Sequence, residues 1–324
     1  MQYRVLGNTG VRVSSICFGT MTFGREADRA TSAAMFHKCR DAGVNFFDTA
    51  NAYGTGLAEE ILGSLIADCR EDLVIATKGF FRVGPGINDW GSTRRHLTRA
   101  VEDSLRRLGT DRVDVYFLHD FDRRTPIEET LRVLDDLVRA GKILYPAASN
   151  FAAWQVAKAL GISALHDWAR FACIQPMYNL LKRQAEVELL PMAESESVGV
   201  VPYNPLGGGL LTGKFGRGKA PADARLSTDE RYQSRYTLDY RDDVLEGFNA
   251  FADRHGVHPA TLSVAWVANH PVVTSAIIGA RNPEQLDATL AAGEFDMSPE
   301  LRAELSALSP TPPPATDRSE EGRT

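Results

Sequence analysis

Short apolar runs rich in β-branched and aromatic residues alternate with amphipathic stretches along most of the chain. Eight runs stand out: Ser15–Gly19, Asn45–Asp48, Leu73–Lys78, Val113–His119, Ile143–Ser149, Phe171–Gln175, Val198–Tyr203 and Val273–Gly279. Each is continuously hydrophobic, without strict alternation, as parallel strands buried on both faces are. The stretches between them carry helix signals. Thr125-Pro126-Ile127-Glu128 predicts an N-cap threonine with proline at the first helical position. Ile127, Leu131, Leu134 and Val138 then share one face, and Gly141 stops the helix. Leu97, Val101, Leu105 and Leu108 line another helix that ends at Gly109. Asn282-Pro283-Glu284 opens a helix over residues 283–292.

Eight β-α units in one chain predict an α/β fold closed into a (β/α)8 TIM barrel. An open doubly wound sheet is the alternative. It would carry a Gly-rich dinucleotide fingerprint after its first strand, and Gly19-Thr20-Met21-Thr22-Phe23-Gly24 lacks the G-x-G-x-x-G spacing. Residues 1–308 read as one barrel domain, and the proline-rich, charged residues 309–324 as a disordered tail. Two connections are long: Phe80–Gly91 after the third strand and Leu206–Tyr240 after the seventh. Long loops in a compact domain are usually functional or disordered. Gly84-Pro85-Gly86 in the first of them reads as a turn.

Charge and composition narrow the partners. The net charge of −6 and scattered basic residues give no reason to expect nucleic acid or an anionic membrane. The Arg94-Arg95 and Arg106-Arg107 pairs fall in helical patterns and read as solvated faces. No apolar stretch reaches the length of a membrane span, and the N-terminus has no secretory pattern. The cysteines Cys17, Cys39, Cys69 and Cys173 form no C-x-x-C pair, so buried free thiols in a reducing cytoplasm are expected. His255 and His258 have no neighbouring Cys or spaced carboxylates, so no metal site is expected.

The chemistry of such a barrel lies at the carboxyl ends of its strands. The residues standing there are Gly19-Thr20, Asp48 with Tyr53 in the loop beyond, Lys78, His119, Ser149-Asn150, Gln175, Tyr203 and Gly279-Ala280-Arg281. Taken singly, Asp48 reads as a loop cap, Lys78 as an exposed strand end and His119 as a structural histidine. Taken together, two opposite charges ending apolar strands face burial, and buried charges require partners.

Along nearly its whole length, from Tyr3 to about Leu290, the chain resembles the aldo-keto reductase superfamily. The matching segments are YRVLGNTGVRVSSICFGTMTFG, FDTANAYGTGLAEEILG, TKGFF, DVYFLHDFD, TPIEETLRVLDDLVRAGKI, ASNF, IQPMYNLL, VPYNPLGGGLLTGKF and IIGARNPEQL. The first of these resembles the family's N-terminal β-hairpin and first strand. GPGINDWGS and the Gly-rich loop after strand seven are similar to the bacterial and potassium-channel-β-like branch. The resemblance implies reduction of an aldehyde or ketone by NADPH. It makes Tyr53 the proton donor, with Lys78, Asp48 and His119 completing the catalytic set. A phenol is a slow acid near neutrality, and a lysine cation beside it stabilises the phenolate. Asp48 would keep that lysine charged, and His119 would hydrogen-bond the substrate carbonyl.

The same resemblance assigns the cofactor residues. Ser149, Asn150 and Gln175 bind the carboxamide, and Tyr203 stacks on the nicotinamide. The backbone of Leu206–Gly209, including Gly208, approaches the pyrophosphate, and Gly19, Thr20, Met21, Asn204 and Lys214 are further cofactor-binding residues. Gly279 and Arg281 meet the 2′-phosphate, and Gln285 lies on the adenosine side. Loop 206–240 would close over the cofactor. Ala288-Thr289 replaces the family's frequent Glu-Asn at the adenine, which puts the adenine contacts and NADPH selectivity in question. Ala147 stands where glycine is common. Met21, Phe80, Phe81, Trp90 and Phe121 form a candidate apolar substrate pocket, which favours a hydrophobic or aromatic carbonyl. Two other function classes are open. One is a nicotinamide-binding regulatory subunit with little turnover; the other is a Schiff-base aldolase using Lys78, against which a carboxylate partner argues. A homo-oligomer is possible, and the sequence does not name the physiological substrate.

Overall fold

The computed structural model describes residues 1–216, 221, 230–316 and 318. Parts of the long loop (217–220 and 222–229) and of the expected tail (317 and 319–324) lie outside the described residues.

The chain opens with an antiparallel hairpin of β1 (Tyr3–Val5) and β2 (Arg12–Ser14). Eight parallel strands follow: β3 (Ile16–Gly19), β4 (Phe46–Asp48), β5 (Val74–Gly79), β6 (Val113–Leu118), β7 (Ile143–Ser149), β8 (Cys173–Gln175), β9 (Gly199–Val200) and β10 (Ala276–Ile278). They lie in chain order, with β10 paired beside β3. Parallel bridges Val200–Val273 and Tyr203–Ile277 join the last two strands and close the ring. Thr274 N–H donates to the Val200 carbonyl at 2.8 Å and Ile277 N–H to that of Pro202 at 2.9 Å across the seam. This is the expected (β/α)8 barrel with its N-terminal hairpin. The expected seventh strand, Val198–Tyr203, is shorter: Pro202 supplies no N–H, so pairing beyond Val200 is reduced to single bridges.

Strand alternation divides the apolar residues into two sets. Cys17, Phe46, Ala76, Val115, Phe117, Ala147, Cys173, Val201 and Ile277 pack together inside the ring. Ile16, Phe18, Phe47, Ile75, Tyr116, Leu118, Ala148 and Ile174 face outward against the helices. Leu6 and Val13 of the hairpin join the interior set and seal the ring at its amino end. The seal is tight at Gly7. Its φ of +54° lies in the left-handed region, and a Cβ there would stand 2.3 Å from the Ala172 carbonyl oxygen and 2.6 Å from the Gly199 nitrogen.

The helices follow the expected pattern with two corrections. α1 (Arg29–Asp41) is capped by the Asp28 side chain, and α2 (Leu57–Ile66) follows β4. α3 (Arg94–Leu108) is capped by Thr93 and ends at left-handed Gly109. α4 (Ile127–Arg139) presents Ile127, Leu131 and Leu134 to the core, but Thr125 does not cap it. The Thr125 hydroxyl donates to Asp122 at 2.8 Å instead, and no side chain caps this helix. α5 (Ala153–His166) and α6 (Leu189–Ser195) complete the first six units. α7 (Glu230–Arg235) and α8 (Arg241–His255) precede α9 (Pro259–Ala268). α10 (Glu284–Leu290) is shorter than the expected 283–292, its end passing into a tight 3-10 turn over Ala291–Gly293. α11 (Pro299–Ser306) lies against α9, with Trp266 donating to Ser306 Oγ at 2.8 Å. Among the described residues no helix is long and apolar enough to cross a membrane.

If the hairpin is the plug of the barrel, Gly7→Ala should lower stability by about 2–4 kcal/mol, from left-handed backbone strain plus overpacking. The expected reading is a lower urea midpoint with an unchanged slope. A wild-type midpoint would mean that the hairpin yields and does not seal the ring.

Candidate active site

The alternation that points Phe46, Ala76, Phe117, Ala147 and Cys173 into the ring also points the residues two positions further along. Those are Asp48, Lys78, His119, Ser149 and Gln175, and they arrive together at the open carboxyl end. The backbone around them is pinned. Thr20 N–H donates to the Asp48 carbonyl at 2.8 Å, Asn51 N–H to that of Lys78 at 3.1 Å, and His119 N–H to that of Gly79 at 3.0 Å.

Lys78 is the centre. Its side chain is fully buried, and its ammonium donates to Asp48 Oδ2, to the Thr49 carbonyl at 2.8 Å and to Tyr53 Oη at 3.3 Å. The same nitrogen lies 4.9 Å from the centre of the Tyr53 ring. Burial works against the charge, but Asp48 and Tyr53 outweigh it and hold the lysine above its usual range. Burial likewise pushes the Asp48 carboxyl up, against the pull of Lys78 and of Gln175, whose amide donates to Asp48 Oδ1 at 3.0 Å. Tyr53 stands in a 3-10 turn, Tyr53–Gly56, directly before α2. His119 meets it edge to face at 5.9 Å and meets the half-exposed Phe81 ring at 4.7 Å. Burial first, and the Lys78 charge second, push the imidazole well below its ordinary range. It is therefore neutral at physiological pH, and its buried Nδ1 has no hydrogen-bond partner among the described residues.

The arrangement has definite chemical capacities. A phenol faces a cation that stabilises its ionised form, so it is equipped to give up a proton. A neutral imidazole beside it has one N–H to donate. The protonated Lys78 has no free electron pair and is a poor nucleophile.

Several of the expected cofactor residues are bonded to one another at the same mouth. Ser149 Oγ donates to the Gln175 carbonyl at 3.1 Å, and Asn150 Nδ2 to the His119 carbonyl at 2.8 Å. Tyr203 Oη donates to Asn150 Oδ1 at 2.9 Å, which sets its half-exposed ring at the rim. Asn204, in the left-handed region, accepts Gly208 N–H on Oδ1 at 2.7 Å. Beyond Leu206, Gly207, Gly208 and Gly209 have φ of +60°, +70° and +103°, a path that residues with a Cβ rarely follow. Lys214 is exposed. Across the mouth, buried Thr20, beside Gly19 and half-buried Met21, has a hydroxyl with no partner among the described residues. Gly279 and Gln285 are exposed, Arg281 half-buried, and Gln285 Oε1 accepts Arg281 N–H at 3.0 Å. Amide, aromatic and glycine groups at this mouth, with the Thr20 hydroxyl unpartnered among the described residues, fit a nicotinamide dinucleotide. Thr289 is buried, and its hydroxyl donates to the Leu286 carbonyl at 3.1 Å.

The expected aromatic residues fall in two clusters. Phe80 packs against Phe81 and Trp90, and Phe121 against Phe151 at 5.1 Å and exposed Trp154 at 6.1 Å. Sequence reasoning missed Phe151 and Trp154, which follow Asn150 on α5's approach. It also missed buried Glu59, which accepts from Thr77 and Arg107, and the structure corrects the solvated reading of Arg107. The spacing Glu59-Leu62-Gly63-Ile66 places that carboxylate in the apolar stripe of α2 and is the signal that could have found it. His258 caps α9 through Nδ1, and His255 stacks on Phe251 at 4.4 Å.

Fold and mouth define a (β/α)8-barrel protein with a polar site at the carboxyl end. The chain belongs to the Aldo/keto reductase family, whose sequence profile matches residues 15–309. It is 39% identical over 300 residues to the probable voltage-gated potassium channel subunit beta of Arabidopsis thaliana, covering 90% of this chain and 91% of that protein. It is 38% identical over 323 residues to the uncharacterized oxidoreductase YrpG of Bacillus subtilis, covering 96% and 97%. To the L-glyceraldehyde 3-phosphate reductase of Escherichia coli it is 33% identical over 300 residues, covering 89% and 86%.

The state of His119 has a signature in stability. An unfolded histidine titrates near 6.5, while the folded one stays neutral to lower pH, so the unfolded chain binds the proton first. This contribution is complete above about pH 6.5 and is lost as pH falls toward the folded value. Wild type should therefore lose stability with acid more steeply than His119→Asn, by at most about 1.4 kcal/mol per pH unit. Parallel curves would mean that folded His119 takes up the proton as readily as an unfolded histidine.

Proposed function

We propose that the protein reduces an aldehyde or ketone to an alcohol with NADPH, with Tyr53 as the proton donor. The observation that carries this reading is the Lys78 ammonium, held by Asp48 and the Thr49 carbonyl while reaching the Tyr53 hydroxyl at 3.3 Å. A bound nicotinamide dinucleotide supplies the hydride. Ser149, Asn150 and Gln175 would hold its carboxamide, and Tyr203 its ring. Gly19, Thr20, Met21, Asn204, Leu206, Gly208, Lys214, Gly279, Arg281 and Gln285 would hold the rest.

The protein's own side chains then divide the work. The neutral His119 donates a hydrogen bond to the carbonyl oxygen and orients it. As negative charge grows on that oxygen, Tyr53 delivers its proton, and the Lys78 cation stabilises the phenolate left behind. Asp48 keeps the cation in place. Phe81, Phe121 and Trp154 offer aromatic surface at the rim, which favours an apolar or aromatic carbonyl over a sugar phosphate. Residues 1–308 act as one catalytic unit in this reading, and the free thiols suit a cytoplasmic setting.

The likeness to plant proteins named as probable channel subunits favours a second reading, a nicotinamide-binding regulatory subunit with little turnover. Steady-state NADPH oxidation with aromatic aldehydes separates the two. Tyr53→Phe should abolish that oxidation while NADPH still quenches or enhances fluorescence as in wild type. Undiminished turnover in this variant would remove Tyr53 from the mechanism.

Arg281→Ala tests the cofactor. A charge-assisted contact to the 2′-phosphate is worth about 1.5–3 kcal/mol, roughly ten- to a hundredfold in affinity. The variant should lose that much for NADPH and little for NADH. Equal losses in fluorescence titrations would show that Arg281 does not read the phosphate.

A further inference from the structure

We propose that Glu59 is the positioning residue that sets Tyr53 against Lys78, because one buried carboxylate ties the helix behind the tyrosine to the strand that carries the lysine. The inference rests on the reading of Tyr53 as proton donor.

Tyr53 occupies a turn with an unusual backbone path. Gly54, Thr55 and Gly56 have φ of +56°, +56° and +97°, and at Thr55 that conformation carries strain for a β-branched residue. The turn runs straight into α2, so the place of α2 decides the place of the phenol. Glu59 stands in the first turn of α2 with no exposed surface. Its Oε1 accepts the Thr77 hydroxyl at 2.5 Å, and its Oε2 accepts Arg107 Nε at 2.6 Å.

Both partners bear on the site. Thr77 immediately precedes Lys78 in β5, and alternation points it outward where Lys78 points inward. The Glu59–Thr77 bond therefore fixes α2 to the strand within one residue of the lysine. Arg107, from α3, lies across the turn itself: a Cβ on Gly56 would stand 2.7 Å from its Cδ. Tyr116 of β6 also feels the charge of this carboxylate, and its buried hydroxyl has no partner among the described residues. Charge-assisted bonds of this kind are short and directional. A buried ion pair adds little net stability over a well-packed apolar replacement. Its use here is placement: a shift of α2 along β5 acts directly on the 3.3 Å contact between Tyr53 Oη and Lys78 Nζ.

The test uses the full chain with isotope-labelled tyrosine. The ionisation of Tyr53, assigned by comparison with Tyr53→Phe, is followed by nuclear magnetic resonance in wild type, Glu59→Gln, Thr77→Val and Thr77→Ser. Among the groups that face that phenol, Lys78 and His119 are unaltered in these variants, as is Asp48, which holds the lysine. Glu59→Gln and Thr77→Val, which keeps the shape of threonine without its hydroxyl, should both move the Tyr53 ionisation upward. Turnover with NADPH and an aromatic aldehyde should fall on the order of ten- to a hundredfold, with KM and NADPH affinity little changed. Thr77→Ser should behave as wild type, and the double variant should lose no more than Glu59→Gln alone. Folded Thr77→Val with wild-type ionisation and turnover would overturn the proposal, and it decides the matter even if Glu59→Gln does not fold. A lower melting temperature with an unmoved Tyr53 ionisation would make Glu59 a brace of the helices only, and would overturn it too. The titration needs neither substrate nor cofactor. A wild type without any carbonyl reduction would refute the reductase reading, while the titration still judges the placement of the phenol.

Discussion

A lysine ammonium with no contact to water must be answered from within, and the mouth of this barrel is arranged around that demand. Lys78 reaches Asp48 on the neighbouring strand, and Asp48 in turn takes the amide of Gln175 from across the ring. The Thr49 carbonyl and the Tyr53 hydroxyl complete the shell. An isolated cation at this depth would cost several kcal/mol, so the registers that bring these groups together are conditions of the fold as well as of the site. β4 pairs Asp48 with Ala76 of β5, which leaves Lys78 one inward step further toward the mouth. The carboxylate and the ammonium can then meet only if both strands end where they do.

The rest of the molecule closes the ring below that group. The hairpin fills the amino end with Leu6 and Val13, and the interior layers between are apolar. What remains open is a rim of aromatic rings on one side and amide, glycine and arginine groups on the other. The two walls differ in kind, and His119 and Tyr53 stand between them. A flat apolar group and a polar dinucleotide would thus approach the same phenol from different sides without competing for the same contacts.

Much of this was legible in the chain. The continuous apolar runs marked all eight strands, because burial on both faces leaves no room for polar residues. Their last residues named the mouth, because alternation carries the inward parity to the end of each strand. What was hidden had local causes. Thr125 had the composition of a cap, but Asp122 holds its hydroxyl. Glu59 follows an alanine and precedes another glutamate, so residue type alone could not tell the buried carboxylate from exposed Glu60. Arg107 sits in a doubled arginine of which only Arg106 faces solvent. Long-range partners of this sort depend on which helix faces lie opposite, and spacing within one helix does not reveal that.

The alternation in β5 places two chemistries back to back, one peptide unit apart. Lys78 answers to Asp48 on the inside, and Thr77 to Glu59 and its arginine on the outside. Sliding this strand by one residue during folding would exchange them. The ammonium would then crowd against a carboxylate already matched by Arg107, and a hydroxyl would be left to face Asp48 alone. Neither half of such a mispaired state could be satisfied while the other was, so the penalty for error is collected on both faces of the strand at once. Each face of β5 thus meets a buried carboxylate that is matched by the residue this register places there.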